Sequence, residues 1–403
     1  MKLSLISLGL GAAMIAFVAC ADSAENDAND GPPDGSTLPR TDSGGAGDEV
    51  DAGEDASDVV VPPRVCSDQG FCKTVLPAGK HELRGVWGDG AGVAWAISAE
   101  GEVLRFDAGA WKVHASGLGK LTAIWGSGPT DVWIAGEEGV QHGTGASSSA
   151  LAFAKSALPG GAKNVTSLWG AGASDVWAVA SVEVDGGSEP ESRVFRWSAG
   201  DAGTSWSDVA VPKGVFFERV WGSAGSGVWL AGTQPIPDEF YREGVIFRRG
   251  AGQKAFTQEG LPKDPDDTSF FATFGGVRGA AAMGDATVWI FGQSVIGMPR
   301  ILKASSTDGG ATFAWTFIPY GAFEDPAFNA VAASAPNDAW AVGDYGQVRR
   351  WDGAAWVAAG ITPLKVPIID PFYGVWSRAG AGAWMVGKDI AVRWDPSKKD
   401  GGN

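Results

Sequence analysis

Histidine, cysteine and positive charge are all scarce in this 403-residue chain. Histidine occurs three times, at His81, His114 and His142, scattered and without the spacing of a zinc site. No metal and no cofactor is therefore expected. Lysine and arginine number 31 against 47 aspartates and glutamates, for a net charge of −16. Nucleic acid is excluded as a partner, since it demands a basic footprint. Long apolar runs are also missing. The longest, Leu3 to Ala19, is short for a membrane span. Of the three cysteines, Cys66 and Cys72 form one pair spaced C-x5-C. In an exported chain they are expected to be disulfide-bonded, a short loop worth about 2 kcal/mol.

Export is read from the first twenty residues. Lys2 is their sole charge and an apolar, small-residue run follows, the layout of a signal peptide. The run ends Phe17-Val18-Ala19-Cys20. This resembles a bacterial lipobox, with Phe17 where Leu or Val is usual, and implies an acylated Cys20 that anchors the chain without spanning the membrane. Residues 21–63 hold twelve carboxylates against Arg40, with Ala, Gly, Ser and Pro between them. Such a segment cannot offset its conformational entropy by burial and reads as an extended acidic tether. Residues 64–403 form the folded domain.

What the chain has in abundance is a repeat. It reads LRGVWGDGAGVAW at 83–95, LTAIWGSGPTDVW at 121–133, VTSLWGAGASDVW at 165–177 and FERVWGSAGSGVW at 217–229. Weaker copies lie at 274–289 and 328–340, and FYGVWSRAGAGAW closes the series at 372–384. Seven copies of two apolar runs around a Gly-rich turn imply an all-β, seven-bladed β-propeller of four-stranded blades. Residues 328–360 show one blade as strands A to D, from axis to rim. Ahead of the first anchor position the residue is aliphatic in every copy, Val277 included, and the one before it is small in six, including Gly276; Arg219 is the exception. Small residues fit the crowded axis. The seventh copy lacks strand D, and residues 71–79 look like an orphan D strand that completes the last blade and hides its edge.

The pattern W-G-x-G-x-x-D-V-W-A-V-G…R-W-D-G-x-x-W, best kept at Trp125–Gly136, Trp169–Val179 and Asp338–Trp356, resembles the tryptophan-rich propeller repeats of secreted myxobacterial lipoproteins. The resemblance spans 83–396 and implies fold and a cell-envelope location, lipid-anchored at an outer membrane or cell surface. It implies little about activity. Ser306–Phe313 looks like an Asp-box with Phe for Trp, a motif that shapes C–D turns in sialidase-like propellers.

Candidate chemistry is thin. Asp131, Asp175 and Asp338 are read as acceptors of backbone N–H bonds in the A–B turns. Asp264-Pro265-Asp266-Asp267 lacks calcium-loop spacing and reads as a solvated loop. A sialidase-like site would use three arginines and a Tyr–Glu pair around the axis. Arg84, Arg219, Arg278, Glu218 and Tyr373 lie near the inner strands, but the arginines fall at non-equivalent offsets. No enzymatic activity is expected, with a glycosidase as the alternative.

Loop placement says more. The A–B turns are short, apart from one at 279–287. Insertions fall at the B–C and D–A connections: 182–192, 233–244, 293–300, 253–269 and 319–327. All leave the same face, the expected binding face of a repeat array. Arg84, Thr122, Thr166, Glu218, Asn329 and Tyr373, near the start of each strand A, are expected to line the channel mouth on that face. Phe240, Tyr241, Phe270 and Phe271 would anchor a partner there. The expected partner is a protein or an envelope polysaccharide, bound by a monomer, and a lectin-like propeller is the alternative. Metabolic labelling with a palmitate analogue tests the anchor: the chain is expected to take up label and Cys20→Ser to lose it; label retained by Cys20→Ser would contradict the acylation of that residue.

Overall fold

The computed structural model describes residues 66–182, 191–200, 203–266, 269–318, 326–361 and 368–399. The Cys20 anchor, the 21–63 tether, most of the 182–192 and 319–327 insertions, and Asp267 lie outside the described residues. Among the described residues no helix is long and apolar enough to cross a membrane; the helical segments are single 3₁₀ turns. The rest of the regular secondary structure among the described residues is strand. Seven separate four-stranded antiparallel sheets follow one another along the chain. Each inner strand A touches the A strands of the blades before and after it, including the seventh with the first. The fold is a seven-bladed propeller.

The strands form where the repeat places its apolar runs. The A strands are Leu83–Gly88, Leu121–Gly128, Val165–Gly172, Phe216–Ser223, Phe274–Met283, Phe328–Ala335 and Phe372–Arg378. The B strands are buried on both faces, as AWAIS at Ala94–Ser98 illustrates. Each carries the second tryptophan of its copy: Trp95, Trp133, Trp177, Trp229, Trp289, Trp340 and Trp384, all buried. A buried indole removes about 200 Å² from water, on the order of 5 kcal/mol gross. The core sits between blades rather than within them. One apolar cluster joins Trp133 of blade 2 to Val165, Val176 and Phe195 of blade 3, and another joins Trp384 and Val386 of blade 7 to Leu83 and Phe106 of blade 1.

The repeated Trp-Gly dipeptide has a steric cause. An ideal Cβ on Gly126 would lie 2.8 Å from the Trp87 ring of the preceding blade. At Gly170 the clash is with Trp125 at 2.6 Å, at Gly222 with Trp169 at 2.9 Å, and at Gly88 with Trp376 at 2.8 Å. Trp87, Trp125, Trp169 and Trp376 therefore each lie on the bare backbone of the next blade. Blades 5 and 6 have Ala281 and Ala332 opposite Trp289 and Trp340, where the others carry tryptophan.

Blade 5 departs from its expected register. Its strand A runs ten residues and shifts register twice, between Phe274 and Gly276 and again between Val277 and Gly279. Arg278 thus falls in a bulge, and Gly279, opposite Phe291, takes the small-residue position expected at Gly276. The longer A–B turn expected at 279–287 is mostly strand, because Met283 already pairs with Thr287.

A second rule runs through all seven blades and was not read from the sequence. The residue on strand C directly opposite the buried tryptophan is always a cation or histidine. The pairs are Trp95–Arg105, Trp133–His142, Trp177–Arg196, Trp229–Arg248, Trp289–Lys303, Trp340–Arg350 and Trp384–Arg393. His142 stacks on Trp133 at 3.7 Å. The other six cations sit between 5.1 and 5.9 Å from their ring centroids. Each contact is worth about 0.5–1 kcal/mol where partly exposed.

This rung corrects the role of the turn aspartates. Their carboxylates accept from side chains, not from turn amides. Asp175 takes Arg196 Nε at 2.7 Å and Trp177 Nε1 at 2.9 Å. Asp338 takes Arg350 Nε at 2.9 Å and the Ser334 hydroxyl at 2.5 Å. Asp131 pairs with His142 and Ser127. Burial pushes the Asp131 carboxyl up, but the bonds from His142 and Ser127 outweigh it and hold it below the usual range. The aspartates thus fix the cations over the tryptophans. The Asp-box-like turn behaves as expected: Asp308 accepts from the Thr312 amide (3.0 Å) and hydroxyl (2.6 Å), between strands Pro299–Ser305 and Ala314–Ile318. The Thr312 and Ser306 bonds hold its carboxyl well below the ordinary range.

The ring closes through the chain's beginning. The last sheet runs, from rim to axis, Gln69–Lys73, Ile390–Lys399, Gly382–Gly387, Phe372–Arg378. The N-terminal strand starts two residues earlier than expected and ends at Lys73; past it, Val75 bridges Ala110 on the rim strand of blade 1. Gly70 adopts φ +84° at a register shift, where a Cβ would lie 2.5 Å from the Asp395 carbonyl oxygen. Phe71 is buried 5.8 Å from Trp340, and Trp394 Nε1 donates to the Gln69 carbonyl at 3.0 Å. Cys66 and Cys72 are disulfide-bonded.

Deleting residues 65–80 is expected to lower the melting temperature of the whole domain in one transition; an unchanged value would refute the closure. Gly170→Ala is expected to cost about 1–3 kcal/mol by denaturant unfolding, because its methyl must displace Trp125. Gly172→Ala, with open space around it, should stay within about 0.5 kcal/mol of the parent. Equal effects of the two would contradict the Trp-on-Gly packing.

Candidate functional site

All seven A strands carry a bulge at the same place. Register is lost between Leu83 and Gly85, Leu121 and Ala123, Val165 and Ser167, Phe217 and Arg219, Val277 and Gly279, Phe328 and Ala330, and Phe372 and Gly374. The skipped residues are Arg84, Thr122, Thr166, Glu218, Arg278, Asn329 and Tyr373. A bulge leaves its residue unpaired and re-aims its side chain. Six of the seven are the residues expected at the channel mouth, and Arg278 takes that place in blade 5.

An axial cavity of about 740 Å³ opens here. Arg84, Thr122, Thr166, Asn329 and Tyr373 line it, above a collar of aliphatic side chains that includes Val86, Ile124 and Leu168. Glu218 is not part of the lining; Arg219, the next residue, takes its place. Much of the polar lining is already engaged in holding blades together. The Thr122 hydroxyl donates to the Val165 carbonyl at 2.6 Å, and that of Thr166 to Glu218 O at 2.8 Å. Asn329 Nδ2 donates to Phe372 O at 3.0 Å and to Asp344 Oδ1 at 2.8 Å.

The cationic members stand differently. The Arg84 guanidinium lies 4.3 Å above the Tyr373 ring and pairs with Glu82. Arg219 donates through Nε to the Val277 carbonyl at 3.2 Å, and Arg278 through Nε to Gln293 Oε1 at 2.8 Å. Burial pulls the Arg219 guanidinium down, against Glu218 and with the help of Arg278. Burial pushes the Glu218 carboxyl up, against Arg219 and Arg242. The three arginines expected at non-equivalent offsets meet in one cavity: Arg84 and Arg278 hold the same bulge position of blades 1 and 5, and Arg219 follows the bulge of blade 4. Lys120 and Asp344 complete its charged lining. Neither was noticed in the sequence, since both sit in connections where the repeat gives no register.

A second feature lies on the insertion-bearing face. The B–C connection of blade 4, between strands Gly227–Pro235 and Arg242–Arg249, carries Phe240 and Tyr241. The connection from blade 4 to blade 5 carries Phe270 and Phe271 on a 3₁₀ turn. The two loops meet. Ring centroids run Phe240–Tyr241 6.3 Å, Tyr241–Phe270 5.6 Å and Phe270–Phe271 5.9 Å, at interplanar angles of 83°, 52° and 73°. Phe240 is 98% exposed, and Tyr241 and Phe271 are also exposed. Phe270 borders a cleft of about 450 Å³ lined with Glu243, Leu261 and Phe274. The acidic run differs from its expected form: the Asp264 carboxylate is largely covered and lies 3.5 Å from the buried Arg300 guanidinium.

No family model and no curated protein matches the chain. Solved structures do. The extracellular domain of BT4673 from B. thetaiotaomicron aligns over 81% of this chain at 12% identity with a TM-score of 0.55, and this chain spans 39% of that one. YCF48 bound to D1 peptide aligns over 81% at 14% identity and 0.55, spanning 96% of that chain. YCF48 from Cyanidioschyzon merolae aligns over 81% at 13% identity and 0.54, spanning 99% of it. At these identities the likeness is one of fold.

Proposed function

We propose that this chain is a non-catalytic envelope lipoprotein, acylated at Cys20, whose propeller binds a protein partner as a monomer through its insertion-bearing face. The acidic tether would hold that face away from the membrane. The observation that carries the reading is the four-ring aromatic run across two insertions. An exposed cluster of this kind is costly to leave in water and is the usual core of a contact surface. Its rings meet edge to face or tilted, so that neighbouring rings do not share one plane, and the cleft beside Phe270 can take a protruding side chain. A protein surface therefore fits better than a polysaccharide.

The test is retention from envelope extract on the immobilised protein, together with a glycan array and a fluorogenic sialoside assay. The parent is expected to retain a protein that the Phe240→Ala/Tyr241→Ala/Phe271→Ala variant loses by about tenfold or more, a loss of at least 1.4 kcal/mol, with unchanged circular dichroism. Retention indifferent to the three substitutions, binding across many glycans, or turnover of the sialoside would each overturn the reading.

A further inference from the structure

The axial cavity carries an inference beyond docking, and it comes from the places where the repeat breaks its own rule. The position two before the first anchor is small because the neighbouring blade is so close. Ideal Cβ atoms on Gly85, Gly279 and Gly374 fall 3.0, 2.9 and 2.9 Å from atoms of the next blade. In blade 4 this position holds Arg219. In blade 5 the bulge common to all seven A strands holds a second arginine, Arg278, which lines the same cavity. Local rules given up at a packed axis without a gain in packing mark a site.

The charges agree. The chain is strongly acidic, yet the cavity is lined by Arg84, Lys120, Arg219 and Arg278 against Asp344 alone, and Asp344 already accepts from Asn329. Among the described hydrogen bonds Arg219 and Arg278 use only their Nε atoms. Their four terminal nitrogens are uncommitted. The buried Arg84 Nε is likewise without a hydrogen-bond partner. Like cations set together away from water are costly unless an anion joins them, and planar guanidinium forks suit carboxylate or phosphate oxygens. The two groups face each other, because blade 1 of a seven-membered ring lies across from blades 4 and 5.

We propose that the axial cavity binds an organic anion bearing at least two acidic groups, carboxylate or phosphate, held between Arg219 and Arg278 on one wall and Arg84 on the other. Tyr373 and the aliphatic collar take its carbon skeleton. A volume of about 740 Å³ admits a molecule of several carbons.

The test is calorimetric titration of the full chain at constant ionic strength with acetate, inorganic phosphate, succinate, citrate and a hexose bisphosphate. Succinate, citrate or the bisphosphate is expected to bind about tenfold or more tightly than acetate and phosphate, and the order among them assigns carboxylate or phosphate. Arg219→Gln and Arg278→Gln should each abolish that preference, Arg278→Lys should keep part of it, and Lys112→Gln on the exposed rim should leave it intact. If Arg219→Gln lowers the melting temperature, Arg278→Gln, altered only in a bulge, still decides. Equal affinity for mono- and multivalent anions, or equal loss in the Lys112→Gln control, would mean an adventitious ion only and overturn the proposal. None of these variants touches the aromatic run, so failure here leaves partner docking standing, and the reverse.

Discussion

A torus of sheets is only as stable as its seam. Here the seam is five residues, Gln69–Lys73, lying along Ile390–Lys399. Without them blade 7 would end in a bare edge, and edges recruit other chains. The seam also reaches past its own blade. Thr74 accepts from Trp111 Nε1 of blade 1 at 2.9 Å and donates to Ala391 of blade 7 at 2.8 Å. Trp111 and Phe106 of blade 1 pack on Trp384 of blade 7 at 5.3 and 4.6 Å. The disulfide keeps the approach to this strand short. The two ends of the chain thus act as one element, although more than 300 residues separate them.

Closure fixes the diameter of the ring, and the diameter fixes what the axis tolerates. The A strands come near enough that a small residue stands where blades touch in every blade but the fourth, and Trp87, Trp125, Trp169 and Trp376 find room over the next blade's glycine. The repeated bulge is the other consequence. It turns one residue per blade toward the axis near the insertion-bearing face, where the threonines and Asn329 staple blade to blade. The same bulge that supports the ring also presents Arg84 and Tyr373 to the cavity. Architecture and candidate site share these residues.

Most of the architecture could be read from the chain, because it repeats. The Trp-Gly-…-Trp copies gave the blade count, and the missing seventh strand D pointed to closure by the segment ahead of the first copy. What escaped was whatever departs from strict register. In blade 5 the string Val277-Arg278-Gly279 mimics the Val-Trp-Gly of other copies, so an extra bulge passed for a long turn. The strand C cations were visible as single arginines but not as one rung, since only pairing shows that each faces a tryptophan. The turn aspartates were read locally, as turn residues usually are; their partners lie 11 to 21 residues away, on strand C. For the site, the bulge residues were legible as a recurring polar position. The convergence of Arg84, Arg219 and Arg278 was not, because the additional bulge at Gly275 hides that Arg278 holds the same position in blade 5 as Arg84 does in blade 1.

The central claim is that the N-terminal strand makes seven blades one cooperative unit. Native-state hydrogen exchange of the oxidised chain tests it directly. The account predicts that the amides of Cys72 and Thr74, which face the Ile390–Lys399 strand, exchange with the same opening free energy as those of the buried B strands around the ring. Contradiction would be free exchange of the N-terminal strand while the B strands of blades 1 and 7 keep full protection, since the ring would then stand without its seam.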